Sequence, residues 1–283
     1  MNRRFVGKTV VITGASSGIG AVAARRFYHE GASIVLVARG QKGLWAAVEG
    51  LDPDRILLIP ADISKVDEAA LILDKAQAHF GRIDALVNSV VVHARGRFEF
   101  ISTADIIQMV DVNLRGPMVL YRLCLPYLAK AKRGSIVNVG SLAGVLPVAG
   151  AAVYSATKSG LRAFSLALAE ELRGTGITVS VVCPGPVYTQ RVMRDLDLIP
   201  DISFSIPMAD PEDVAEVIVS CAYDGRPERT IPRIGGFLAA TGALLPSLRR
   251  RFVYVFALIG GKRKASIKRR LARKGTGQVG DSG

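Results

Sequence analysis

Tyr154 and Lys158 stand four residues apart in Tyr154-Ser155-Ala156-Thr157-Lys158, and Ser141 precedes the tyrosine by 13 residues. On a helix, residues i and i+4 share a face, so the phenol and the ammonium project the same way. A phenol with a pKa near ~10 exchanges protons poorly at neutral pH. A neighbouring ammonium or other positive charge favours the phenolate, and each pKa unit moved is worth ~1.4 kcal/mol. Ser141, at the end of an apolar run, is placed to hydrogen-bond the same substrate oxygen. A Tyr-x-x-x-Lys pair alone recurs by chance on helix surfaces. Its combination here with Ser141 and with a glycine-rich turn about 140 residues upstream is what points to chemistry.

That turn is Thr13-Gly14-Ala15-Ser16-Ser17-Gly18-Ile19-Gly20, set between a strand-like run and a helical stretch. Glycines at Gly14, Gly18 and Gly20 allow a tight bend. With Ser16, Ser17 and Ile19 they let a pyrophosphate approach backbone N–H groups at a helix start, so dinucleotide binding is expected. The second strand ends at Ala38-Arg39, with no acid to accept from a ribose 2′-OH and with Lys42 three residues on. An arginine there suits a 2′-phosphate, so NADP is the expected cofactor. Asp62, in Ala61-Asp62-Ile63-Ser64, either holds the adenine amino group or caps the next helix; both roles are compatible, and Asp62 and Ile63 are counted with the cofactor residues.

The elements needed to position these groups are visible as alternating patterns. Strand-like runs fall at Lys8–Thr13, Ser33–Ala38, Arg55–Ala61, Asp84–Ser89, Gly134–Gly140, Ile177–Cys183 and Arg229–Ile234. Several are continuously apolar, as expected for strands covered on both faces. Helical stretches lie near 18–30, 41–50, 66–80, 102–131, 152–173 and 211–223, with Ser102 and Asp210-Pro211 as start signals and Gly31 as a stop. This alternation predicts an α/β fold, a doubly wound parallel sheet of Rossmann type in a single domain, 1–234, with a basic, partly apolar C-terminal extension, 235–283.

With these motifs in this order, the chain resembles the short-chain dehydrogenase/reductase family from Gly7 to about Ile234. The resemblance rests on Thr13–Gly20, Asp62, Asn113 in Asp111-Val112-Asn113-Leu114, Ser141, Tyr154 with Lys158, and Pro184-Gly185-Pro186-Val187-Tyr188-Thr189. It implies a catalytic set of Asn113, Ser141, Tyr154 and Lys158. Tyr154 is then the acid/base and Ser141 orients the substrate oxygen. Lys158 holds the nicotinamide ribose and depresses the tyrosine pKa, and Asn113 anchors a water in a proton relay. Pro184, Gly185, Val187 and Thr189 line the nicotinamide. Where the family has Asn-Asn-Ala-Gly, this chain has Asn88-Ser89-Val90-Val91. Asn88 stays a cofactor-side residue, while bulk at the following positions is expected to shift that loop or weaken binding. The implied activity is NADP-dependent interconversion of an alcohol and a carbonyl on a small-molecule, apolar substrate. The competing class is a non-catalytic dinucleotide-binding regulatory or scaffold protein of the same fold.

Other residues have structural readings. His29 and His79 are expected at the surface, and His93 lies on the side where substrates sit in such folds. Cys183 reads as a small buried hydrophobe, Phe98 and Phe100 as packing, and Trp45 as structural. No His/Cys cluster has metal-ligand spacing. The three cysteines, Cys124, Cys183 and Cys221, make no disulfide framework, and the N-terminus does not read as a secretory signal. A cytoplasmic setting is expected.

The formal net charge of +13 divides unevenly. Residues 1–224 hold 23 Lys/Arg and 22 Asp/Glu, whereas residues 225–283 hold 14 and 2. The charge therefore carries no argument for nucleic acid, and no stacking motif accompanies it. Two readings of the extension stand: peripheral membrane contact through 235–274, or an apolar 235–259 that covers the substrate pocket or a subunit interface ahead of a disordered basic tail, 260–283. A homodimer is the family-level expectation.

Overall fold

The computed structural model describes residues 3–276, excluding the side chains of 246–253 and 272–276. Seven parallel strands form one sheet in the order β3-β2-β1-β4-β5-β6-β7. They are β1 (Thr9–Thr13), β2 (Ser33–Ala38), β3 (Ile56–Pro60), β4 (Ala85–Asn88), β5 (Gly134–Val139), β6 (Ile177–Pro184) and β7 (Glu228–Ile231). The direction of winding reverses between β1 and β4, where Thr13 lies in register with Asn88. A crevice opens at that point beyond the strand ends.

Helices cover both faces, which is why the central strands are apolar throughout. On one face α1 (Gly18–His29), α2 (Gln41–Ala47) and α8 (Pro211–Asp224) bury Phe27, Leu44 and Ile218 against the sheet. On the other, α3 (Val66–Phe80), α5 (Gly116–Leu128) and α6 (Ala152–Glu171) bury Ile72, Leu120 and Tyr121. Cys124, Cys183 and Cys221 are buried free thiols, and His29 and His79 are exposed.

Four sequence expectations need correction. The helix expected over 102–131 is two helices, α4 (Thr103–Val110) and α5, joined by a π turn at Asp111–Arg115. Pro117 has no N–H to give the carbonyl four residues back, that of Asn113, so the α ladder cannot run through unbroken. The last strand stops at Ile231 because Pro232 cannot continue the ladder, and α9 (Arg233–Leu244) starts immediately. Trp45, Phe98 and Phe100 are exposed rather than packed.

The fourth correction concerns the basic tail, which is helical wherever it is described. α10 runs from Pro246 to Thr276, and the remaining tail residues, 277–283, lie outside the described residues. Its middle docks on the segment that follows the short helix α7 (Gln190–Arg194). Lys264 is buried there, donating to Ile199 O at 2.7 Å and to Asp201 Oδ1 at 3.1 Å, while Lys268 pairs with Asp197. Gly260 sits against the Asp201 carbonyl, where a Cβ would overlap the oxygen. Among the described residues no helix is long and apolar enough to cross a membrane.

Candidate active site

A cavity of about 1500 Å³ runs along the strand ends from the glycine turn to α9 and α10. At one end lie Gly14, Ser16, Ser17, Gly18, Ile19 and Gly20, with Arg39 at the tip of β2 and Asp62 and Ile63 beyond β3. Gly14 has φ +69°, and a Cβ on it would come within 2.7 Å of the Val90 backbone. A Cβ on Gly20 would come within 2.3 Å of Gly14 O, so both positions exclude side chains. Ser17, the N-cap of α1, makes no side-chain cap bond, and the first turn carries no acid. The N-terminal N–H groups of α1 thus face the cavity beside a backbone cradle, which fits a dinucleotide diphosphate. Asp62 Oδ1 accepts from Ser64 N at 3.0 Å and from Ser64 Oγ at 2.7 Å, so it braces the turn ahead of α3 rather than capping that helix, whose N-cap is Lys65, and it lines the cavity.

Midway along, Tyr154 rises from the first turn of α6, and Ser141 follows β5. Ser141 acts on the phenol to lower its pKa, and its hydroxyl accepts from Ala143 N at 3.1 Å. Lys158, one turn on, is buried and donates from Nζ to Val139 O at 2.8 Å. Burial lowers its pKa to about 8. Burial pushes the Tyr154 phenol above its ordinary range, opposed by Ser141 and by the positive charges of Arg95 and Arg191. Desolvation is the largest influence on the phenol and outweighs the two arginines.

Asn113 is fully buried in the π turn, and its amide clamps the loop after β4. Its Oδ1 accepts from Val92 N at 2.8 Å and its Nδ2 donates to Val92 O at 2.7 Å. The departure at Ser89-Val90-Val91 is accommodated. The loop backbone presses on Gly14, and Val91 O accepts from Arg191 Nη1 at 2.8 Å. All three residues line the cavity. Asn88 points inward instead, its Oδ1 accepting from Thr13 Oγ1 at 2.5 Å. Below it, Tyr121 donates to Asn138 Oδ1, and Asn138 Nδ2 donates to Ser165 Oγ at 2.9 Å. This buried polar chain ties β1, β4, β5 and α6 together under the site.

Residues 8–197 match the family model for short chain dehydrogenases. The chain belongs to the short-chain dehydrogenase family. As a member of it, the protein is an oxidoreductase of a family that binds nicotinamide dinucleotides. It is 32% identical over 273 residues to the ketoacyl reductase HetN of Nostoc sp. PCC 7120, an alignment covering 94% of each chain. It is 35% identical over 190 residues to the bovine 3-oxoacyl-[acyl-carrier-protein] reductase, covering 67% of this chain and 79% of that one. Among solved structures, actinorhodin polyketide ketoreductase with NADPH superposes with TM-score 0.73 at 28% identity, over 79% of this chain and 95% of the other. A short-chain dehydrogenase/reductase from Brucella melitensis superposes with TM-score 0.75 at 31% identity, over 82% and 99%.

In this short-chain dehydrogenase the predicted Ser141, Tyr154 and Lys158 converge, and Pro184, Gly185, Val187 and Thr189 line the same cavity. His93 is also at the site. Its ring stacks on that of Tyr154 with centroids 3.9 Å apart and planes 7° from parallel. Burial, helped by Arg95, Arg191 and Lys158, lowers the His93 pKa to about 3. Arg95 and Arg191 were not anticipated. Arg95 lies in an irregular loop and Arg191 in α7, 96 residues further on, and no spacing rule joins them.

Proposed function

We propose that this oxidoreductase interconverts a ketone and a secondary alcohol on an apolar chain, with NADP as cofactor and Tyr154 as the acid/base. The observation that carries the proposal is the half-buried Tyr154 beside Ser141, lining the cavity midway between the glycine cradle and an apolar wall. A dinucleotide with its diphosphate at the glycine cradle and its nicotinamide against Pro184, Gly185, Val187 and Thr189 would supply or accept the hydride. Ser141 and Tyr154 hold the substrate oxygen, and Tyr154 gives its proton to a carbonyl or takes one from an alcohol. A phenol held above its ordinary pKa is protonated at neutral pH, which suits reduction. Lys158 holds the ribose hydroxyls. The Asn113 carbonyl, which receives no N–H from Pro117, anchors the relay water, while its amide fixes the loop at Val92.

NADP is supported by Arg39, exposed at the tip of β2, and by the absence of an acid at Ala38. An apolar chain is supported by the wall opposite the cradle, where Leu142, Leu146, Ile206, Leu238, Ala239 and Phe256 face the cavity. HetN and the bovine relative are named for reduction of ketoacyl groups, the same class of carbonyl. A screen of 2-octanone, ethyl 3-oxooctanoate and short ketones, following NADPH and NADH oxidation, tests the proposal. Turnover of chain-bearing ketones with NADPH preferred supports it; none with any ketone and either nucleotide overturns it.

A second proposal concerns the extension: peripheral contact with an anionic membrane beside the cavity mouth. Leu244, Tyr254 and Leu258 are exposed by 79%, 76% and 69%, in a segment that is strongly basic. Each cation near anionic lipid contributes ~1 kcal/mol. Co-sedimentation with phosphatidylserine-containing vesicles, lost on pure phosphatidylcholine, supports this contact; equal recovery in both supernatants overturns it.

A further inference from the structure

Beside Tyr154, on the substrate side, polar groups remain that the proton chemistry does not use. Among the described residues, three buried side-chain polar atoms have no hydrogen-bond partner: His93 Nε2, Arg95 Nε and Ser180 Oγ. Two of the three line this one cavity. Buried polar groups are nearly always satisfied, and leaving one unmade costs roughly 1–3 kcal/mol, so a pair of orphans in one wall marks a place for a ligand atom. Arg95 Nε is an obligate donor. His93 Nε2 donates in one neutral tautomer, and the imidazole stays neutral with its pKa lowered to about 3.

The charge around the two atoms points to what they bind. Arg95, Arg191 and Arg194 line this half of the cavity, and among the described residues no Asp or Glu lines it there. Asp195 stands behind them, 3.7 Å from Arg95 Nε and 3.1 Å from Arg194 Nε. The separation of 3.7 Å is an ion pair without a hydrogen bond, so Arg95 is balanced in charge but not in donor capacity. Arg191 spends one N–H on Val91 O. His93 stacks on the Tyr154 ring with centroids 3.9 Å apart, so a group that reaches this wall lies beside the reacting phenol.

We propose that Arg95, supported by His93 and Arg191, is a specificity site for a second oxygen of the substrate, the carbonyl or carboxylate oxygen of an oxo ester or oxo acid adjacent to the ketone. The site rests on the ketone-reducing proposal above and narrows it. A guanidinium N–H to such an oxygen is a charge-assisted bond in a water-poor wall, stronger than a neutral one. A plain ketone leaves both donors unpaired and is discriminated against for that reason.

The test compares 2-octanone, ethyl 3-oxooctanoate and 3-oxooctanoate as substrates for the wild type, Arg95→Lys and Arg95→Gln. The wild type should favour the two oxygen-bearing ketones over 2-octanone by about 10–100-fold in kcat/KM. Arg95→Gln should erase most of that ratio. Arg95→Lys, which keeps the charge but loses the Nε donor, should retain the preference for the acid more than that for the ester. The ester and acid arms show whether the site reads a neutral or an anionic oxygen. Calorimetric titration of octanoate into the protein without nucleotide gives a readout independent of turnover, and Arg95→Gln should weaken binding by a similar factor. If Arg95→Gln does not fold, Arg191→Gln should reduce the same ratio. Unchanged ratios in all folded variants, or a wild type that treats the three ketones alike, overturn the specificity site while leaving ketone reduction standing. Inactivity on all three with either nucleotide overturns both.

Discussion

His93 offers a thermodynamic check on the site that needs no substrate. Its imidazole is stacked on Tyr154 and surrounded by Arg95, Arg191 and Lys158, and burial with these cations lowers its pKa from 6.5 to about 3. The folded protein therefore refuses a proton that the unfolded chain accepts below pH 6.5. Stability from the neutral imidazole is fully present above pH 6.5 and is lost as pH falls towards about 3. Each pH unit in that window removes ~1.4 kcal/mol, so moving from pH 8 to pH 5 costs about 2 kcal/mol through this residue. Urea unfolding of the wild type and His93→Gln at both pH values isolates the contribution, because other titrating groups cancel in the difference. The wild type should lose about 2 kcal/mol more than the variant. Equal losses would refute a neutral, desolvated His93 and with it the dry, cationic wall beside Tyr154.

Further outcomes follow from the cavity's two ends. Arg39→Asp should weaken NADPH by roughly 10–100-fold and NADH far less in fluorescence titrations, whereas equal effects on both refute the 2′-phosphate contact. Ala239→Phe places a ring in the apolar wall. Losing burial of about two methylenes, at ~0.8 kcal/mol each, should lower kcat/KM for octyl-length ketones about 10-fold relative to butyl-length ones. A uniform loss across chain lengths would remove that wall from the substrate site.

What could be read from the sequence was whatever a local rule encodes. Tyr154 and Lys158 share a helix face by their spacing, Ser141 sits at a strand end, and the glycine turn lies between a strand and a helix; each was legible within about 20 residues. Arg95 and Arg191 were not, because one stands in an irregular loop and the other on the short helix α7, and no local pattern links the two. The π turn at Asn113 was hidden because the apolar pattern of 102–131 continues through it, although Pro117 in retrospect marks the break. Asn113 was assigned through the resemblance alone, and its clamp on Val92 is visible only in three dimensions. The extension's charge was plain, but charge does not say whether a segment is solvated or docked. The partners of Lys264 and Lys268, namely Ile199, Asp201 and Asp197, lie more than 60 residues upstream.

The most direct measurement of the central claim is the turnover of Tyr154→Phe with NADPH and a ketone that the wild type reduces, alongside NADPH binding by fluorescence. If Tyr154 moves the proton, removing one oxygen atom should leave nucleotide affinity within a few-fold and lower kcat by roughly 10²–10⁴. Turnover within a few-fold of the wild type, at unchanged affinity, would contradict the assignment.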